Sequence, residues 1–149
     1  MDTKVLAVAS RGGHWKQLMK LEPAFRGCDI RFASTSHDNP GVGKTSHYFY
    51  LPDANRHTPL NALWLLCTSA WLVLRLRPDV IISTGALPGL SCILWGRLFG
   101  ARTLWIDSIA HADQMSLSGR VARYVATTTL SQWPDLSRMT GVEYRGAVL

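Results

Sequence analysis

The sequence is poor in charge, in cysteine and in long apolar segments, and each shortage excludes something. Asp, Glu, Lys and Arg make up 17% of the 149 residues against 47% hydrophobic ones, which rules out a disordered chain and leaves one domain's worth of globular protein. The three cysteines, Cys28, Cys67 and Cys92, have neither CxxC nor metal-ligand spacing. They exclude a disulfide framework or a zinc site and read as reduced thiols, with Cys67 and Cys92 expected to be buried on helices. The longest apolar stretch, Ala62 to Leu74, is interrupted by Thr68 and Ser69 and falls short of the roughly 20 residues that span a bilayer. Met1-Asp2-Thr3-Lys4 runs straight into an apolar strand, so no signal peptide is expected. His37, His47 and His57 lack paired spacing, so no metal is expected.

Acidic residues are the scarcer sign, 10 against 16 Lys and Arg, for a net charge of +6. That balance favours anionic partners such as phosphates or lipid headgroups. Nucleic acid is not expected, because no aromatic-basic RNA motif accompanies the charge. Nucleotide signatures are missing too. Gly41-Val42-Gly43-Lys44-Thr45 has Asp38 where a P-loop needs glycine, and aromatic strand-like residues follow it instead of a helix. Ser10 to His14 does not make GxGxxG, and no acidic residue closes the second strand as a ribose ligand would. No cofactor is therefore expected.

What is present is a pair of glycine-bearing loops. Val5 to Ala9 reads as a strand, and Ser10-Arg11-Gly12-Gly13-His14 as a tight turn into a helix over Trp15–Phe25. Val80 to Thr84 reads as a second such strand, with Gly85-Ala86-Leu87-Pro88-Gly89 leading into an apolar helix over Leu90–Phe99, capped by Gly100. Glycines let backbone N–H groups approach a ligand, and helix N-termini add partial positive charge. If both strands belong to one parallel sheet, both loops open at its carboxyl edge, where α/β folds place ligands. The pattern points to a phosphate-bearing ligand beside a proton acceptor.

The rest alternates in kind. Strands are expected at Ile30–Ser34, His47–Leu51, Thr103–Ile106, Val125–Leu130 and Val142–Tyr144, with helices at Leu60–Arg75, Ser118–Tyr124 and Trp133–Met139. Thr35–Ser46 and Asp53–Pro59 read as polar loops. The fold class is thus α/β, a Rossmann-like doubly wound parallel sheet, in one domain over residues 1–149.

His14 opens a helix at the predicted cleft, where a neutral imidazole can take a proton from a hydroxyl; the plainer role is to cap the loop or bond a ligand phosphate. Asp107 ends a strand at the same edge and could orient His14, act as the base itself or cap the next turn. His111 and Asp113, two apart in the following loop, read as solvated loop residues. Apolar residues cover nearly every face of Leu60–Leu76, which fits a buried helix, a partner-facing helix or one whose Trp64 and Trp71 face dips into a membrane surface, with Arg75 and Arg77 able to meet lipid phosphates.

Taken together, Ser10-Arg11-Gly12-Gly13-His14, Asn55-Arg56, Arg77 to Gly85, Trp105-Ile106-Asp107-Ser108, Leu117-Ser118-Gly119-Arg120, Gln132-Trp133-Pro134 and Tyr144-Arg145-Gly146 resemble the Alg14 family, most of all its bacterial exopolysaccharide (PssD-like) branch. The resemblance runs through essentially the whole chain in order. It implies the N-terminal, acceptor-side half of a split GT-B glycosyltransferase, whose C-terminal half is a separate Alg13-like or PssE-like partner holding the UDP-sugar donor. Gly12, Gly13, Gly85 and Gly89 would then meet the diphosphate of a polyprenyl-linked acceptor. His14 or Asp107 would be catalytic, and Arg11, Asn55, Arg56, Ser108 and His111 would be further acceptor or donor contacts. Eukaryotic members carry an N-terminal membrane helix with no counterpart here, so attachment is expected to be peripheral, on the cytoplasmic face of the membrane. The rival expectation is a non-catalytic subunit that anchors and stabilises a catalytic partner.

Overall fold

A computed structural model describes residues 1–38, 41–43 and 46–148; Lys44 and Thr45 of the P-loop-like stretch lie outside the described residues. The strands are β1 (Lys4–Ala9), β2 (Asp29–Ser34), β3 (His47–Tyr50), β4 (Val80–Gly85), β5 (Arg102–Ile106), β6 (Thr128–Ser131) and β7 (Glu143–Tyr144). The helices are α1 (Gly13–Lys20), α2 (Pro59–Leu76), α3 (Leu87–Leu98), α4 (Leu117–Val125) and α5 (Pro134–Thr140). The seven strands form one sheet in the order β3-β2-β1-β4-β5-β6-β7, and every pairing is parallel. The chain winds outward from β1 to β3, then returns to start β4 on the other side of β1. The switch point therefore falls between β1 and β4, the two strands that carry the glycine loops.

β1 is central, and its side chains alternate between two cores as the two-residue strand period requires. Val5, Ala7 and Ala9 pack with Trp15, Leu18, Phe25 and Phe32 on one face. Leu6 and Val8 pack on the other with Ile81, Ile93 and Trp105 and with the inner faces of α2 and α4.

Four sequence expectations shift. The first helix stops at Lys20 and a separate 3-10 turn covers Glu22–Phe25, because Pro23 cannot supply the backbone N–H that a continuous helix needs. The helix after β4 begins at Leu87, with Pro88 in its first turn where a missing N–H costs nothing. Val125 ends α4 and the next strand starts at Thr128, since Val121, Ala122 and Val125 pack as one helical face. Cys67 is exposed, whereas Cys92 is buried as expected. The reason is α2, whose inner face of Leu65, Leu72, Val73 and Leu76 is buried while Leu60, Leu63, Trp64, Trp71 and Leu74 stand exposed on the other. Each inner side chain contributes roughly 1.5–3 kcal/mol, enough to hold the helix to the domain without the outer face. Gly100 has φ 89° and closes α3 one residue beyond Phe99, as its capping role requires.

Burial pushes the Cys92 thiol up to about 12. At pH 8 a maleimide should therefore modify Cys67 rapidly and Cys92 only after denaturation, as read by peptide mass spectrometry. Gly89 is packed so closely on β4 that a Cβ there would overlap the Ser83 hydroxyl. Gly89→Val should cost about 1–3 kcal/mol in urea unfolding.

Candidate active site at the carboxyl edge

The site is built by a bulge. β1 and β4 pair in step from Val5 with Val80 to Val8 with Ser83, after which Ala9 pairs with Gly85 and Thr84 is skipped. A bulge re-aims one residue out of the ladder. Thr84, released in this way, uses both of its polar groups on His14: its hydroxyl donates to the His14 carbonyl at 2.7 Å, and its own carbonyl lies 3.0 Å from His14 Nδ1. A carbonyl only accepts, so Nδ1 carries a proton, and in the neutral ring the lone pair is then on Nε2. Gly85 completes the seat. It has φ 125°, and a Cβ there would stand 2.5 Å from His14 Nδ1, so the ring lies flat on bare backbone. His14 is half-buried, between the core and open solvent.

The first glycine loop stands over this ring. Ser10 N–H donates to Gly85 O at 3.1 Å, Arg11 N–H donates to Thr35 Oγ1 at 3.0 Å, and Gly12 turns the chain with φ 86° before Gly13 begins α1. Only glycine takes the Gly12 conformation without strain. Both glycines face open space. The first-turn amides of α1 thus present their N–H groups and the positive helix end beside the His14 residue that belongs to this turn.

A second layer ties the loops after β5 and β6 to α1. Gln17, one turn beyond His14, accepts from Gln132 Nε2 at 2.8 Å and reaches Ser108 and Ile109 at 3.5 Å. Gln132 also donates to the Asp107 carbonyl at 2.9 Å and accepts from Val148 N–H at 2.7 Å. Ser108 is buried in this network, and His111, half-buried, closes a turn onto the Ser108 carbonyl through its N–H. On the far side, exposed Arg11 pairs with Asp53 at 3.6 Å, which brings the Asp53–Thr58 loop to the rim. There the Asn55 side chain accepts from His57 N–H, shaping the start of α2, and Arg56 is exposed.

Two assignments change. Asp107 neither touches His14 nor faces the cleft. Its buried carboxylate accepts from Trp105 Nε1 at 3.1 Å, Ser116 N–H at 3.0 Å and Ser116 Oγ at 2.6 Å, and Gly119 presses against it. Those partners take up its acceptor capacity, so it anchors the start of α4, while a backbone carbonyl orients the imidazole. Gly89 is buried in the first turn of α3 against Ser83 and Trp105 and does not belong to an open loop, because its helix begins earlier than the sequence suggested. Arg75 and Arg77 lie at the other end of α2, at the amino edge; Arg75 stacks 5.2 Å over Trp71, and Arg77 ends the helix with φ 46°. A depression of about 770 Å³ also lies at that edge, lined by Arg77, Asp79, Gly100 and Arg102. The carbonyl ends of α2 and α3 reach that edge, and their partial negative charge disfavours an anionic ligand. Thr84, Gln17 and Gln132 were missed from the sequence. Thr84 and Gln132 stood in motifs of the resemblance without a role, and Gln17 lay three residues after His14 on one helix face.

A parallel sheet whose ligand edge falls at the β1/β4 switch point is a doubly wound, Rossmann-like α/β fold. The fold agrees: MurG from Acinetobacter baumannii superposes with a TM-score of 0.70 at 14% identity, covering 98% of this chain and 44% of that one. UDP-N-acetylglucosamine 2-epimerase from Rickettsia bellii superposes with 0.77 at 11% identity, covering 99% and 45%. This chain thus spans less than half of either structure. Residues 53–148 match the family described as oligosaccharide biosynthesis protein Alg14 like, and the chain belongs to that family. The mouse protein named UDP-N-acetylglucosamine transferase subunit ALG14 is 25% identical over 168 residues, which cover 89% of this chain and 76% of the mouse one.

Replacing Asp107 by Asn turns one carboxylate oxygen into an N–H donor facing the Ser116 donors or the Trp105 indole. Asp107→Asn should lower unfolding free energy by about 1–3 kcal/mol in urea melts.

Proposed function

We propose that this chain is the acceptor-binding, membrane-associating subunit of a two-component, UDP-sugar-dependent glycosyltransferase that elongates a polyprenyl-diphosphate-linked saccharide. In this reading it belongs to the bacterial exopolysaccharide (PssD-like) branch and works peripherally on the cytoplasmic face of the membrane. An Alg13-like or PssE-like chain supplies the C-terminal domain and most of the donor site. The observation that carries the reading is the seat of His14, whose Nδ1 meets the Thr84 carbonyl and whose ring packs on Gly85, directly after the Gly12-Gly13 turn. The printed name of the mouse relative and the likeness of the fold to part of MurG support it.

The chemistry follows from that geometry. The amides of Gly12, Gly13 and the first turn of α1 receive the acceptor's diphosphate. Arg11, with Asn55, Arg56, Ser108 and His111 around the rim, contacts the saccharide or the incoming donor. Nε2 takes the proton of the attacking hydroxyl, whose oxygen forms the new bond to the donor's anomeric carbon. The bond from that carbon to the diphosphate oxygen breaks on the opposite face, UDP departs with its electron pair, and configuration inverts. Helix termini and partner residues, with no metal called for, stabilise the leaving diphosphate. Trp64 and Trp71, both 57% exposed on one face of α2, meet the membrane surface or the partner, with Arg75 and Arg77 at the end of that helix.

Positioned proton transfer is worth roughly 10²–10⁴-fold in rate. His14→Ala, co-purified with the partner, should lose that much kcat in a glycosyl-transfer assay while the complex still forms. Wild-type turnover in this variant removes His14 as base and leaves a non-catalytic anchoring subunit as the better account.

A further inference from the structure

An apolar groove runs beside the glycine loops on the α2, α3 and α4 side of the sheet. Ala62, Leu65 and Leu66 form one wall, Leu87 and Leu90 the floor, and Val121 the other wall. The polar groups near it are already engaged: the Ser91 hydroxyl bonds that of Ser69, and the Trp95 indole donates to the Leu66 carbonyl at 3.0 Å. Nothing in it asks for water or for a polar ligand. Its volume is about 140 Å³, close to that of the ~150 Å³ apolar cavity that stays dry and takes up benzene, which is room for one isoprene unit.

Two observations say what enters it. The groove begins at Leu87, two residues along the chain from Gly85, whose backbone seats the His14 ring. The parallel topology also brings the N-termini of α1, α2 and α3 to this edge, and among the described residues none of these three helices has an acid in its first turn, while the start of α4 is already held by Asp107. A positive rim beside a hydrocarbon slot is complementary to a molecule with an anionic head and an apolar chain attached directly to it. Exposed Leu117 and Tyr124 extend the apolar surface along α4, away from the rim.

We propose that the α2–α3–α4 groove seats the first isoprene unit of a prenyl diphosphate whose head lies on the Gly12 and Gly85 loops. The proposal rests on reading those loops as the diphosphate site. The groove makes the lipid chain, as well as the saccharide, a determinant of acceptor choice. Chains that are saturated and straight at their first carbons fit a slot of this shape less well than the branched isoprenoid.

The test uses the full chain co-purified with its partner and a diazirine-bearing farnesyl diphosphate, with cross-links mapped by peptide mass spectrometry. Label should fall within residues 60–66, 87–94 and 117–125, and unlabelled farnesyl diphosphate should abolish it. Val121→Trp, which fills the groove from an exposed position, should cut labelling by at least about tenfold while inorganic pyrophosphate binds as in wild type by calorimetry. Leu66→Phe repeats the test from the opposite wall. Label elsewhere, or label that neither variant reduces, overturns the groove proposal even if pyrophosphate binds. Groove labelling that pyrophosphate cannot compete, in a protein that binds no pyrophosphate, sinks the loop reading and with it the head-and-tail arrangement. Label on the partner chain alone assigns the groove to a subunit contact and also overturns the proposal.

Discussion

The structure depends on one hydrogen-bonded clasp: the carbonyl of Thr84, turned out of the sheet by a bulge, against the Nδ1–H of His14. Without the skipped residue that carbonyl would pair along the strand. The imidazole would then have no acceptor to choose its tautomer, and the first turn of α1 would lose its registration on β4. The return bond from the Thr84 hydroxyl to the His14 carbonyl makes the clasp two-sided, joining α1 to β4 beside the β1–β4 ladder. Gly85 is required by the same arrangement, since a side chain there would occupy the place of the ring.

Around the clasp the molecule divides its labour by position along the strands. Buried polar residues crowd the carboxyl ends: Ser34 and Thr35 at the end of β2, Ser83 and Thr84 in β4, Asp107 and Ser108 after β5, Ser131 and Gln132 at the end of β6. Their bonds fix loops that would otherwise be free to move, and Asp107 and Gln132 do this by satisfying backbone groups near the start of α4 and the end of the chain. α2 shows the same division across its axis. One face folds the protein, and the other, with Trp64 and Trp71, is spare apolar surface of a kind that marks an interaction site.

Much of this was legible in the sequence. Short aliphatic runs ending in glycine announced β1 and β4, and their shared chemistry placed both loops at one edge of a parallel sheet. The class of fold followed from the alternation of elements. What could not be read was the bulge, because skipping Thr84 is a matter of register between distant strands and leaves no local mark. Asp107 misled for a related reason: a carboxylate at a strand end has the same sequence signature whether it faces a cleft or caps the next helix, and only its contacts with Trp105 and Ser116 decide. Gly89 looked like part of a loop until the helix proved to start at Leu87, and α2 stayed open between buried, partner-facing and membrane-facing because apolar residues on both faces hide which one packs.

The tautomer of His14 is the most direct measure of the account, through ¹⁵N-resolved correlation of the imidazole in the labelled protein with its partner. The account requires the proton on Nδ1 and a bare Nε2 whose shift responds when a diphosphate-linked acceptor is added. A proton found on Nε2, with Nδ1 bare, would mean that the Thr84 carbonyl does not hold the ring, and the proposed base would have no lone pair to offer.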